Sequence, residues 1–513
     1  MSAFQINRRQ FAGLTAAGVA GGTLAMSRGL AADAPGELWD PQRPPVVTGR
    51  KLTVQPVLIY TTYQPREAAS WRSWGSVNNP QAAAEEIERI AKELAGLSAR
   101  AGFPLEFLPL VAASSVEEAR TIHAREHDAV LVYPATGSGH LLRACFAAKP
   151  TRDTLIFARH QSGPTYYWYE ALSTRYLKTG DEPELAGRSA TDHGPVTVHD
   201  VVIDDYEALR WRLRALYGIK NFIGQRIVAL GGAQGKYDPQ APKVAREKYL
   251  LDIIDFSYEE LGKRLDQVRA DAALAAHAEK WTDQYLALPG TRLDTPRHFI
   301  ANAFLLYAVF KGWMRQHDAP AFTIQACMGT VMPMAKTTAC LPLSWLNDEG
   351  LLAFCESDFV IIPAGILLHY VSGLPVFLHN STFPHDRTVT CAHCTAPRRM
   401  DGRKYEPAAI MTHYESDYGA APKVDMPVGQ VVTFINPEYA TGRWVGFKGI
   451  IRANPLHPIC RTQQDVEILG DWQKLLAEVR DSHWMMVYGD HLRAVGYAAR
   501  KIGVRWVDLS ETP

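Results

Sequence analysis

The chain has 513 residues, with 54 Lys and Arg against 54 Asp and Glu, so its formal net charge is zero. This balance supplies no basic face for nucleic acid or anionic lipid. Hydrophobic residues make up 47% and charged residues 21%, a globular composition spread over about two to four domains. Seven cysteines, at 145, 327, 340, 355, 391, 394 and 460, are too few for a disulfide framework of the small secreted kind and read mostly as reduced core residues.

Residues 1–34 stand apart. Arg8 and Arg9 precede Phe11, an apolar Gly/Ala-rich run covers 14–26, and small residues around Ala32 suit cleavage. The apolar run is too short to span a bilayer. The segment resembles a bacterial twin-arginine export signal, which implies a periplasmic or secreted protein. No later run reaches the length of a membrane span, so none is expected.

Residues 35–50, rich in proline, read as a linker. A first α/β domain is expected over 51–215: a strand at 52–60, a helix at 80–102 with Ile87, Ile90, Ala91 and Leu94 on one face, a strand at 105–111, a short helix, then strands at 128–136 and 153–159. Strands alternating with helices point to a parallel sheet. A second α/β domain is expected over 216–350. It opens with RIVALGGAQG at 226–235, whose glycines lack dinucleotide-binding spacing and read as a tight turn. Residues 248–281 and 297–317 read as helical. From 375 short β-rich runs broken by Pro, Gly, Asn and Asp suggest an antiparallel sheet or barrel, so a C-terminal domain is expected over 351–513. The tail at 483–509 returns to strand, turn, helix and strand.

The stretch LLAFCESDFVIIPAG, 351–365, sets Glu356 and Asp358 in an apolar run. Carboxylates are seldom buried unless paired or metal-bound. A strand over 351–356 would turn both toward one face if it extends that far, and Pro363 suits the first turn of a following helix. The acids then stand at the carboxyl end of a buried strand, where open α/β sheets bind ligands. The bland alternative is an Asp that caps the helix and a Glu paired with a neighbouring cation; spacing alone leaves both open. Three weaker clusters follow. TVTCAHCTAP holds Cys391, His393 and Cys394; a single CxxC whose cysteines point to opposite strand faces is not a zinc ribbon, and this pair is expected to bind no zinc. MTHYESDYG puts His413 and Glu415 on one strand face, and His483 begins an apolar strand that ends in Gly489 and Asp490.

In this order the clusters resemble the L-fucose isomerase and L-arabinose isomerase superfamily, especially its shorter fucose-isomerase-like members. The resemblance rests on CLPLSWLNDEGLLAFCESD, TVTCAHCTAP, MTHYESDYG, GQVVTF, CRTQ and SHWMMVYGDHLRAVGYAARKIGV, between about 320 and 513. It implies two Rossmann-like α/β domains followed by a C-terminal domain containing a β-barrel. It also implies aldose–ketose isomerisation with a divalent metal, commonly Mn2+, in a homo-oligomer. Carried over, Glu356 or Asp358 would move the proton, Glu356, Asp358 and His483 would hold the metal, and His393, His413, Glu415 and Lys336 would lie near the sugar. One departure concerns a further metal-binding glutamate upstream of the strand-end acid: the corresponding TVMPMAKTTACLPL holds Lys336 and no acid. That leaves open a sugar- or polyol-binding protein that keeps the fold without the reaction, or an enzyme acting on a modified sugar.

Overall fold

The computed structural model describes residues 38–167, 172, 177, 190–438, 442–479 and 481–510. The expected export signal over 1–34, with Arg8 and Arg9, lies outside them. The stretch expected as a linker is docked where it is described: Trp39 is buried with its ring 4.9 Å from that of Phe304, and Leu38 O accepts from Lys311 Nζ.

The first sheet contains β1 (Leu52–Ile59), β2 (Leu105–Phe107), β3 (Val111–Ala113), β4 (Ala129–Pro134), β5 (Asp153–Ala158) and β6 (Val201–Ile203). Its order is β2-β1-β4-β5-β6, all parallel, and β3 shares the β2 edge of β1. The strand expected at 105–111 is thus two short strands, each pairing one half of β1. The helix Pro80–Ala99 starts where Asn79 caps Ala82 N–H and Pro80 takes the first turn, and it buries Ala83, Ile90, Leu94 and Leu97. It also buries Glu86, whose carboxylate is 2.6 Å from the buried Arg159 guanidinium.

The second sheet contains β7 (Arg226–Leu230), β8 (Asp252–Phe256), β10 (Ala321–Ile324) and β11 (Leu352–Cys355); β9 (Thr291–Asp294) pairs elsewhere. The order β11-β10-β7-β8 is wholly parallel. Two expectations change here. β8 interrupts the helical reading of 248–281, because an edge strand with both faces partly exposed carries no clean alternation. β11 pairs with β10, so the strand leading to Glu356 closes this sheet, past the boundary expected at 350. Chain connections diverge between β7 and β10, and the carboxyl ends of strands at such a switch point are where open α/β sheets bind ligands.

The remaining strands are β12 (Phe377–Ser381), β13 (Thr388–His393), β14 (Ala408–His413), β15 (Tyr418–Val424), β16 (Val431–Glu438), β17 (Arg443–Ala453), β18 (Thr462–Leu469), β19 (His483–Tyr488) and β20 (Arg505–Asp508). Six of them close an antiparallel barrel, β16-β19-β12-β13-β18-β17 and back to β16; β20 adds to β17 in parallel, and β15, β14 and β9 form a small sheet. Alternation along β19 sends Trp484, Met486 and Tyr488 into a cluster with the stacked rings of Phe434 and Phe447, while Met485 packs against the helix Ile362–Ser372. The chain is therefore mixed α/β, with parallel sheets and a closed six-stranded barrel. Among the described residues no helix is long and apolar enough to cross a membrane.

Candidate functional site

The site forms where the carboxyl edge of the second sheet meets the barrel. β11 ends at Cys355, and the next two residues, Glu356 (φ 63°) and Ser357 (φ 46°), are left-handed. Such a backbone costs on the order of 1–3 kcal/mol per non-glycine residue and persists only where its surroundings impose it. Here Gln234 imposes it. Its Nε2 donates to Glu356 O (2.6 Å), its N–H to Ser357 O (3.1 Å), and its carbonyl accepts from Phe359 N–H (2.8 Å). The strand alternation is broken, so Glu356 and Asp358 do not share a face in the simple sense expected. Gln234 lies in the glycine turn after β7. At Gly235 a Cβ would fall 1.9 Å from Asp238 O, so only glycine lets this turn close and deliver Lys236.

Four elements converge. Glu356 follows β11, His393 ends β13, His483 begins β19, and Lys236 follows β7. Glu356 Oε2 is 2.9 Å from Lys236 Nζ and 3.5 Å from His483 Nε2; Glu356 Oε1 is 3.7 Å from His393 Nε2. Lys236 Nζ is also 3.4 Å from His483 Nε2. Asp358 is fully buried and turned away. Its Oδ2 is 2.7 Å from His483 Nδ1, and its Oδ1 accepts from the N–H groups of Lys236 (3.0 Å) and Val360 (3.2 Å). Glu356 and Lys236 are about one-third exposed, while His483 is wholly buried, so the cluster opens to solvent on the Glu356–Lys236 side.

Charge follows this geometry. Burial pushes the Glu356 carboxyl upward, but the imidazoles of His393 and His483 outweigh it and hold Glu356 well below the usual carboxylate range. Burial would lower His483, yet its bonds to Asp358 and Glu356 raise it to about 9. Burial lowers His393. Burial would lower Lys236, but its bond to Glu356 and the nearby negative charges of Glu356 and Asp358 together raise it.

Glu356, His393 and His483 each offer a donor atom within 4.8 Å of the other two, a grouping that could hold a metal ion. The outer nitrogens of both histidines are engaged, His483 Nδ1 by Asp358 and His393 Nδ1 by Thr395 Oγ1 at 3.2 Å, which leaves both Nε2 atoms facing Glu356. Hydrogen bonds of this kind to the far ring nitrogen orient metal-binding imidazoles. Two imidazoles and one carboxylate suit divalent first-row metals, zinc, iron and manganese among them. Compared with the expected ligands, His393 takes the place of Asp358, which positions His483 instead.

The other expected residues lie elsewhere. Lys336 is exposed and follows the helix Met332–Ala335, where its carbonyl accepts from Asn302. Glu415 is exposed in the turn after β14, because that strand ends at His413 and its alternation stops there. His413 is buried, with a ring nitrogen within 4.8 Å of the sulfurs of Cys394 and Cys460. Cys391 sits in the apolar core, apart from that cysteine group. Lys236 and Gln234 are the residues that sequence reasoning missed. The available signal was the glycine turn at the carboxyl end of β7, the same placement that singled out Glu356.

Comparison of the chain with protein-family models and with curated proteins returned no match.

Proposed function

We propose that the chain is an aldose–ketose sugar isomerase that uses a divalent metal, Mn2+ by the resemblance at 320–513. The observation that carries the metal is the convergence of Glu356, His393 and His483, with buried Asp358 behind His483. The sugar rests on the resemblance alone. Held by these three residues, the ion would supply Lewis-acid polarisation of the sugar carbonyl. Glu356, kept as a carboxylate, takes the proton from C2 and returns it to C1, while the O2 hydroxyl proton passes to O1; the reaction is proton-neutral overall. The Lys236 ammonium, 2.9 Å from Glu356, is placed to donate to the sugar oxygen that gains charge. Asp358 keeps the imidazole of His483 oriented.

A second reading is a sugar- or polyol-binding protein without turnover. It is favoured by Lys236, whose ammonium already neutralises Glu356, and by the absence of any acid in TVMPMAKTTACLPL. Metal analysis of the purified chain, followed by a pentose and hexose panel with added Mn2+, separates the two. Isomerisation of any panel sugar supports the enzyme; a bound metal with sugar binding but no turnover supports the second reading. The proposal extends to export: Arg8 and Arg9 should direct the folded chain outward in a homo-oligomeric form. N-terminal sequencing of periplasmic material and its solution mass test this.

A further inference from the structure

A second cluster lies beside the first, back to back with it through the neighbouring residues His393 and Cys394. Cys394, just past β13, His413, at the end of β14, and Cys460, in the loop between β17 and β18, each present a ligand atom within 4.8 Å of the others. Cys340, at the start of the helix Cys340–Asp348, joins them: it packs against Cys394 and shares a hydrogen bond with its sulfur. Thus four separate chain segments bring three thiols and one imidazole together. Cys340, Cys394 and His413 are each at least 95% buried. His413 Nδ1 is buried with no hydrogen-bond partner among the described residues, an orphaned polar atom that a structure ordinarily avoids. The N–H of Arg461 is directed at the sulfur of Cys394, whose thiol the bond to Cys340 and burial push well above the ordinary range in the metal-free chain. The same arginine's Nε donates to Thr412 O at 2.7 Å, clipping the Cys460 loop onto β14.

We infer that Cys340, Cys394, Cys460 and His413 form a structural zinc site, independent of the sugar chemistry proposed above. Three thiolates and one imidazole are a closed tetrahedral set for Zn2+, with no position left for substrate. Ligands at about 2.0–2.3 Å from one ion lie about 3.4–3.8 Å apart, so Cys394, His413 and Cys460, whose ligand atoms lie within 4.8 Å of one another, need to close in by up to about 1.4 Å, with Cys340 brought in through its bond to Cys394. Binding deprotonates three thiols and releases three protons to solvent. The ion would tie the barrel strands β13 and β18 to the small sheet and to the helix that precedes β11. The signal is invisible to spacing rules because the ligands span residues 340 to 460 and only one of them belongs to the CxxC.

The test uses the full chain loaded with Zn2+, passed through a desalting column and analysed for metal. One zinc per chain should survive brief EDTA treatment, and titration with an organomercurial should release it as three thiols react. Co2+ in its place should give thiolate-to-cobalt charge transfer in the near ultraviolet. Cys460→Ser should lose this ion, whereas Cys460→His should keep it as a Cys2His2 site. Glu356→Gln should leave it in place, which separates it from any metal at the Glu356 cluster. Failure of the wild type to retain zinc, a disulfide among Cys340, Cys394 and Cys460 detected by mass, or cobalt binding without charge transfer would each overturn the assignment.

Discussion

Asp358→Asn separates a residue that positions the site from one that acts in it. The wild-type carboxylate accepts three hydrogen bonds, one from His483 and two from backbone N–H groups of Lys236 and Val360. Asparagine can keep the two backbone bonds through its carbonyl oxygen, but its NH2 then faces His483 Nδ1. Two donors cannot face each other, so the imidazole must carry its proton on Nε2, the atom 3.5 Å from Glu356 that would otherwise hold a metal. Loss of a carboxylate that holds a ligand histidine by its far ring nitrogen weakens metal binding by about 10–100-fold, or roughly 1.4–2.8 kcal/mol. Stability should fall by about 1–3 kcal/mol, since a fully buried bond to a carboxylate is replaced by a weaker neutral one. Calorimetric titration with Mn2+ and with Zn2+, alongside urea unfolding of the metal-free protein, reads both quantities. An unchanged metal affinity in a folded Asp358→Asn protein would refute the role given to Asp358, and with it the claim that His483 Nε2 is a ligand.

Three further outcomes follow from the same geometry. Glu356→Gln should lower turnover of any accepted sugar by at least about 10²-fold, the usual scale for losing general acid–base catalysis; stability should change by less than about 1 kcal/mol, because the Glu356–Lys236 pair is one-third exposed. Lys236→Met should tighten metal binding, by about tenfold or more, because the ammonium is a competing cation within 3.4 Å of His483 Nε2; weaker binding in the same titration would count against a metal at this cluster. Asp153, 5% exposed, has its carboxyl lowered to about 2, because His193 and Lys501 overcome the upward push of burial. A depressed acid stabilises above its unfolded value and loses that contribution as pH falls toward 2, so Asp153→Asn should be destabilised by about 2 kcal/mol at pH 7. The deficit relative to wild type should shrink between about pH 4 and pH 2 in urea melts.

Much of the fold was legible because it rests on short-range rules. Alternation and apolar runs located β1, β4, β5 and β7, Asn79 and Pro80 begin a helix where such residues should, and Pro363 sits in the first turn of the helix Ile362–Ser372. The placement of Glu356 at a strand's carboxyl end was legible for the same reason. The pairing of β11 with β10 was not, since no local pattern says which sheet a buried strand joins. Nor was the left-handed turn at Glu356 and Ser357: neither residue announces it, and Gln234, more than a hundred positions away, holds it in place. Tertiary structure alone decided that Asp358 supports His483, that Lys236 enters the cluster, and that His413 leaves it for Cys340, Cys394 and Cys460. Residue type limits which donor atoms a chain has to offer. Which of them meet depends on strand order and barrel closure, and those are set by burial summed over the whole core rather than by any single stretch of sequence.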